Sequence, residues 1–251
     1  MIKDLLQIYK DNLLYVDFYE EILCKCDQNS KEYTTNSRFL NGYIKVFESN
    51  NNEKILNLPE SEDSLRIDIP VWFGSPEASK NRVIVYGSEP RDTNGMFNIE
   101  INKNITYGAT FGCNRWNDNT NVSGKTQLKY KRVFESLINH ESTFILFSDI
   151  VKFYQVISTS ESRKEMKQLS DKEARRRFNE FAEQSKEMVL KEIEIISPDL
   201  ILLLGRPAQK VFERIIKPFI PKTNIRIENI RHPSYGGTNI ALQQIEKIYV
   251  E

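Results

Sequence analysis

The sequence predicts a three-layer α/β/α sandwich around a central four-stranded, mainly parallel sheet. Three observations carry this expectation. Four short apolar runs, at residues 83–86, 144–147, 200–204 and 225–230, have the length of strands and end at glycine, Ser-Asp or His-Pro. The second and third runs are continuous and not alternating, as central strands are when both faces are covered. Helical periodicities lie between the runs, and strand alternating with helix argues for a parallel sheet.

In chain order, residues 1–25 carry Leu5, Leu6, Tyr9, Leu13, Leu14, Val16, Phe18, Ile22 and Leu23 at the spacing of one or two amphipathic helices. Residues 26–66 are polar, include the run Asn50-Asn51-Asn52, and read as a long irregular excursion. Residues 1–66 are therefore expected to form an N-terminal extension packed on an α/β domain of residues 67–251, the two making one continuous unit. After the first strand, Leu128, Val133, Phe134, Leu137 and Ile138 predict a helix over 125–140, with His140 as a partner for its C-terminal dipole. Residues 155–170 are poor in apolar side chains and read as a loop. Phe178, Phe181, Ala182, Val189, Ile193 and Ile196 predict a helix over 171–197, with Ser170 and Glu173 as its capping box. Gly205 follows the third strand, and Pro207 sits where a further helix opens.

The 251 residues balance 35 basic against 35 acidic side chains, so net charge alone does not imply nucleic acid. The distribution is uneven. Residues 200–235 hold Arg206, Lys210, Arg214, Lys217, Lys222, Arg226 and Arg231 against only Glu213 and Glu228, whereas residues 1–30 lean acidic. A phosphate-facing surface and a merely solvated face are both compatible with that excess. Cys24, Cys26 and Cys113 are too sparse for a disulfide framework. The first 25 residues lack a charged start followed by an apolar run, and no apolar run is long enough for a bilayer. A cytoplasmic protein is expected.

In parallel α/β sheets the chemistry gathers at the carboxyl ends of the strands. The first strand here ends in Gly87-Ser88-Glu89-Pro90-Arg91-Asp92, and the last in Arg231-His232-Pro233-Ser234-Tyr235-Gly236-Gly237. Each alone reads as an ordinary turn. Their order adds information. The two segments resemble the Gly-x-Asp-Pro and His-Pro-Ser loops of the uracil-DNA glycosylase superfamily, and three more matches fall between them in the family's order. Gly108-Ala109-Thr110-Phe111-Gly112 resembles the segment whose phenylalanine stacks on the flipped base. Phe147-Ser148-Asp149-Ile150-Val151-Lys152 resembles the strand end that supplies a base-reading amide. Leu203-Leu204-Gly205-Arg206-Pro207-Ala208-Gln209-Lys210 resembles the segment opening the next helix. The resemblance covers residues 82–237.

It implies a DNA glycosylase that flips a base and hydrolyses its N-glycosidic bond. His232 would stabilise the departing base anion. Glu89, in the position of the family's aspartate, would stabilise the sugar cation or orient water, with Asp92 as the alternative carboxylate. Gly87 and Ser88 would supply backbone to the base pocket, Phe111 the stacking ring, and Asp149 and Arg91 the base-reading groups. Lys210, Arg206, Arg231, Ser234 and Tyr235 would meet the DNA. The expected partner is DNA, bound by a monomer, with no membrane, no cofactor and no metal. The iron–sulfur cluster of some branches needs four cysteines, and the chain has three.

Three departures from the family bear on the substrate. Asp149 replaces the base-reading asparagine. An ionised carboxylate only accepts hydrogen bonds, which suits the exocyclic amine of cytosine better than uracil. A helix N-cap or an ion pair with Lys152 is the alternative role for it. Arg91 replaces a tyrosine that blocks the base's 5-position, and would admit a polar substituent there or else contact phosphate. Tyr235-Gly236-Gly237 replaces the intercalating leucine, so the wedge is Tyr235 or comes from elsewhere. The leading expectation is excision of a 5-modified cytosine, hydroxymethylated or glucosylated, from phage DNA as a host defence. Uracil repair is the enzymatic alternative. A non-catalytic DNA- or nucleotide-binding module is the alternative of another class, against which the pairing of Glu89 with His232 argues. A hydrolase of free nucleosides fits the basic C-terminal stretch less well.

Overall fold

The computed structural model describes residues 1–12, 64–90, 105–109, 125–138, 140, 142–156, 172–221, 224–233 and 236–250. Helix α1 (Ile2–Asn12) is followed by strands β1 (Ser64–Ile69), β2 (Val71–Phe73), β3 (Asn81–Gly87) and β4 (Ile105–Ala109). Helix α2 (Lys125–Ile138) leads to β5 (Thr143–Asp149) and β6 (Phe153–Val156). Then come helix α3 (Lys172–Ile196), β7 (Leu200–Leu204), helix α4 (Gly205–Val211), β8 (Arg226–Ile230) and helix α5 (Thr238–Val250).

The main sheet has the order β2-β5-β3-β7-β8. The four expected strands are β3, β5, β7 and β8, and each neighbouring pair among them is parallel. The expectation of four strands is corrected to five. Strand β2 pairs antiparallel with β5, setting Val71 opposite Phe147 and Phe73 opposite Ile145. Three residues are too few for a periodicity to show.

Strand β7 shows why its sequence is uninterruptedly apolar. All five of its residues are buried. Leu200, Leu202 and Leu204 belong to one cluster with Val83, Val85, Ile145 and Phe147, packed on Val133, Phe134 and Leu137 of α2 and on Ala241 and Ile245 of α5. Ile201 and Leu203 turn the other way, with Ile84, Tyr86, Phe144 and Leu146. Their cluster includes Leu5, Ile8 and Tyr9 of α1, Val189, Ile193 and Ile196 of α3, and Ala208 and Val211 of α4. Period-two alternation in each strand thus feeds two cores. The fold is mixed α/β, with helices on both faces of a mostly parallel five-stranded sheet.

A second sheet, β4-β1-β6, was not expected. Strand β1 runs parallel to β4 and antiparallel to β6. It reads Ser-Leu-Arg-Ile-Asp-Ile, and its alternation with charge hid it at the end of the polar stretch. Strand β6 ends inside the expected loop of residues 155–170. Two of the links between the sheets are short, from β1 to β2 through Pro70 and from β5 to β6 across residues 150–152. The expected boundary between residues 66 and 67 falls inside β1, and α1 is packed into the same core as α3.

The expected helices over 125–140 and 171–197 are α2 and α3. Ser197, at φ 47°, and Pro198 end α3. Ser170 lies outside the described residues. His140 follows α2, where Nδ1 lies 3.2 Å from Thr143 Oγ1 and 3.3 Å from Ser142 Oγ, so it braces the turn into β5. Helix α4 starts at Gly205, with Pro207 in its first turn, and continues as a π segment over Phe212–Ile216.

Candidate active site

Register brings the predicted loops to one edge. Gly87 pairs with Asp149, Tyr86 with Leu203, and Leu204 with Ile230. The last residues of β5, β3, β7 and β8 therefore form one row at the carboxyl edge of the sheet. Glu89 lies two residues beyond Gly87, and His232 two beyond Ile230. Strand β7 alone separates their strands, which puts β3 and β8 roughly 9–10 Å apart.

The loops after β3 and β5 are joined by backbone. Ile150 N donates to Gly87 O at 3.1 Å, and Val151 N donates to Ser88 O at 3.0 Å. Gly87 and Pro90 are buried, whereas Ser88 and Glu89 are half-buried. Asp149 is buried at 3% exposure. By strand alternation its side chain lies on the face of Ile145 and Phe147, toward α2 and α5. Gly87 shares that face beside it and has no side chain to fill the position.

His232 is held from several directions. Tyr130, from α2, places its hydroxyl 3.2 Å from His232 Nε2. The two rings meet edge to face, with centroids 5.5 Å apart. Gly205 lies against the imidazole, for a Cβ there would sit 3.2 Å from His232 Cβ and 3.5 Å from Cδ2. With φ at +79°, Gly205 also occupies a conformation that other residues rarely adopt. A Cβ on Gly237 would lie 2.1 Å from His232 O, so the returning chain passes hard against the loop. Thr238 Oγ1 donates to Pro233 O at 2.9 Å, and Arg231 N donates to Gln244 Oε1 at 2.8 Å. The sequence does not mark Tyr130 as a site residue. Its place in the apolar periodicity of α2 reads as core, and it is 8% exposed.

Two alternative roles for Asp149 are removed. It ends a strand and precedes a bend, so it caps no helix. Lys152 turns to the opposite face of the sheet, where Nζ lies 2.8 Å from Glu192 and 3.3 Å from Asp68. It also donates to Tyr9 OH at 3.0 Å and to Ser148 Oγ. Asp68 Oδ2 accepts from Ser148 Oγ at 2.8 Å and from Asp149 N at 3.0 Å. Tyr86 OH donates to Glu192 Oε2 at 3.0 Å. This fully buried polar cluster joins α1, β1, β3, β5 and α3 directly behind the edge. Burial pushes the Glu192 carboxyl up, against the lowering effect of Lys152. Burial and then the Glu192 charge push the Tyr9 and Tyr86 hydroxyls well above their ordinary range. The sequence did carry a signal for it. Glu192 falls three residues after Val189 and four before Ile196, on the inward face of α3.

Arg206 and Lys210 are exposed on α4 and, with Arg214, border a groove of about 230 Å³ floored by Phe178, Pro207 and Val211. Arg231 is exposed at the exit of β8. Gly108 and Ala109 belong to β4, with Gly108 in register with Asp68. Arg91, Asp92, Phe111, Ser234 and Tyr235 lie outside the described residues, as do the three cysteines. Among the described residues, no three His, Cys, Asp or Glu side chains form a group that could hold a metal ion. Among them, too, no helix is long and apolar enough to cross a membrane. No protein-family model matches the chain, and no curated protein sequence matches it.

Proposed function

We propose that the chain is a DNA glycosylase with a uracil-DNA glycosylase-like fold, acting as a cytoplasmic monomer. One observation carries the reading. The loops bearing Glu89, Asp149 and His232 leave a single row at the carboxyl edge of parallel strands, with Gly87 beside Asp149. That edge is where sheets of this kind bind their ligands. A base flipped into it would meet Asp149 on one side and His232 on the other.

Cleavage of the C1′–N bond leaves positive charge on the sugar and negative charge on the base. An N–H of His232 directed at a base carbonyl stabilises the second. The carboxylate of Glu89, or of Asp92, stabilises the first and orients the attacking water. Water gives its hydroxyl to C1′ and a proton to the base, leaving an abasic site. The chemistry calls for no cofactor. Asp149 accepts from the exocyclic amine of a cytosine, and Arg91 leaves room for a polar 5-substituent. The substrate is therefore a hydroxymethylated or glucosylated cytosine, which points to phage DNA and host defence. The basic side chains Arg206, Lys210 and Arg231 carry the DNA phosphates.

The test is direct. Duplexes containing uracil, cytosine, hydroxymethylcytosine or glucosylated hydroxymethylcytosine are incubated with the protein and assayed for alkali-labile sites. Cleavage confined to the 5-substituted cytosines is the expected result. No abasic site in any of the duplexes overturns the reading.

A further inference from the structure

We propose that the groove between α3 and α4 is a track for single-stranded DNA, holding consecutive phosphates on a line of three cations and a base on its apolar floor. The groove binds an unpaired strand whether or not the edge of the sheet cleaves a base.

Arg206, Lys210 and Arg214 stand four residues apart, the first two on α4 and the third on the π segment that continues it. All three are exposed and border the groove. Each step is about one turn and roughly 6 Å along the axis, so the cations form a ladder about 12 Å long. That step matches neighbouring phosphates of an extended strand. The carboxylates close by in sequence do not neutralise the ladder. Glu213 accepts from Gln209 Nε2 at 3.1 Å, and Glu180 lies 3.9 Å from Arg176. Among the described residues, Arg206, Lys210 and Arg214 make no ion pair. Asn179 Oδ1 accepts from the guanidinium of Arg214, which fixes the last cation against the α3 wall. The opening of α3 is itself basic in sequence, reading Lys-Glu-Ala-Arg-Arg-Arg.

Charge alone would fit any polyanion, and the floor narrows the choice. Phe178, Pro207 and Val211 supply apolar surface there. Tyr154 braces Phe178 edge to face, with ring centroids 6.3 Å apart. The groove holds about 230 Å³, less than the roughly 300–1,000 Å³ of a pocket for a drug-sized ligand, and has room for one flat base. A cationic line beside an apolar platform is how unpaired strands are held without regard to sequence. A duplex keeps its bases stacked inside and offers the ladder phosphates only. An acidic peptide offers charge but no flat ring for the floor. The groove begins beside Gly205, which lies against His232, and runs on the α3 face of the sheet, away from Asp149. An unpaired flank leaving the edge would therefore meet Arg206 first and Arg214 last.

Fluorescence anisotropy of a labelled oligo-dT decamer tests the track with no cytosine present. Wild type and Arg214→Gln are titrated with the single strand and with its oligo-dA duplex at several salt concentrations. Arg214→Gln should weaken single-strand binding severalfold and lower its slope of log affinity against log salt by about 0.7, the value for one phosphate on a single strand. Duplex affinity should change little, since Arg214 lies farthest from the edge. A decamer of abasic residues with the same phosphates should bind the wild type at least about fivefold more weakly, as for loss of one stacked base. Equal losses on single strand and duplex, or an unaltered single-strand slope, would overturn the track. So would an abasic decamer that binds as tightly as oligo-dT. Polyglutamate of equal charge that displaces the decamer as readily as unlabelled oligo-dT would overturn it too, and assign the groove to an acidic peptide.

Discussion

Lys152 Nζ lies 2.8 Å from both carboxylate oxygens of Glu192, and neither side chain has exposed surface. Asp68, equally buried, makes the second carboxylate around one ammonium. Removing the cation leaves two negative groups facing each other without solvent. Lys152→Met should therefore cost about 3–5 kcal/mol, the scale for breaking a buried pair from one side. Glu192→Gln keeps the shape and still leaves Asp68 to balance Lys152, so it should cost distinctly less. Urea unfolding at neutral pH compares the two. Equal losses would mean that charge balance is not what holds the cluster.

The same cluster gives stability a pH dependence of definite sign. Burial raises the Glu192 carboxyl above its ordinary 4.5, so the folded protein holds a proton that the unfolded chain releases sooner. A raised pKa contributes stability that is complete below 4.5 and is lost as pH climbs through the folded value. The midpoint of denaturant unfolding should fall over that rise in the wild type. The fall should be shallower in Glu192→Gln, which has no proton to lose. Parallel curves for the two proteins would assign the dependence to other groups.

How far the sequence carried this picture depends on the kind of order involved. Strands β5 and β7 were legible because both faces of each are covered, which leaves an unbroken apolar run. Strands β1 and β2 were not. The first mixes Arg66 and Asp68 among its apolar residues, and the second is only Val71-Trp72-Phe73. Helix α5 was missed as well, since its inward residues Ala241 and Ile245 make a sparse pattern. At the site, residues that follow strands announced themselves through glycine and proline punctuation. Tyr130, Asp68 and Tyr9 act from other elements, and long-range contacts of that kind leave no mark in local spacing. Asp149 illustrates the boundary. Its place at the edge was readable, whereas its independence of Lys152 needed the alternation of β5 to separate the two faces.

His232→Ala should reduce turnover by on the order of a hundredfold or more while DNA binding changes little. Its N–H meets charge that develops only as the bond breaks. Glu89→Gln should likewise remove most activity and leave the unfolding midpoint nearly unchanged, because the swap preserves shape at a half-buried position. Single-turnover rates and filter-binding affinities measured together check both. An active Glu89→Gln beside an inactive Asp92→Asn would transfer the carboxylate's role to Asp92.

Arg206 and Lys210 are exposed, one helical turn apart, near the two ends of the short helix α4. If they meet phosphates, each lost contact should lower the slope of log affinity against log salt by about one unit. Arg206→Gln and Lys210→Gln should then weaken binding of all duplexes alike and leave the preference among bases unchanged. Equilibrium titrations at several salt concentrations decide it. Unaltered slopes would place the DNA elsewhere on the surface.

Asp149 should set the base. Its carboxylate is buried at the sheet edge beside Gly87, and its backbone is pinned by Asp68 through the 3.0 Å bond to Asp149 N. Uracil would present a ring N–H and a carbonyl acceptor at that edge, and the carbonyl lone pair confronting the carboxylate is an unfavourable contact costing roughly a few kcal/mol when buried. The amine of cytosine would donate to it in a charge-assisted bond. An enzyme that excised plain cytosine would attack its own host, so selectivity needs a group that host DNA lacks. A hydroxymethyl or glucosyl substituent at the 5-position supplies one, and Arg91, Asp92, Thr93 and Asn94 follow β3 closely enough in sequence to read it. A site built for such bonds rejects the base that cannot make them, because its polar groups are then left unpaired. Asp149→Asn should therefore shift preference toward uracil, and Arg91→Ala should lower activity on the substituted cytosine alone. Competition between the four duplexes, scored by strand cleavage at abasic sites, measures both shifts. A wild-type protein that excises uracil efficiently and ignores every 5-substituted cytosine would assign the chain to uracil repair and leave Asp149 without a base-reading role.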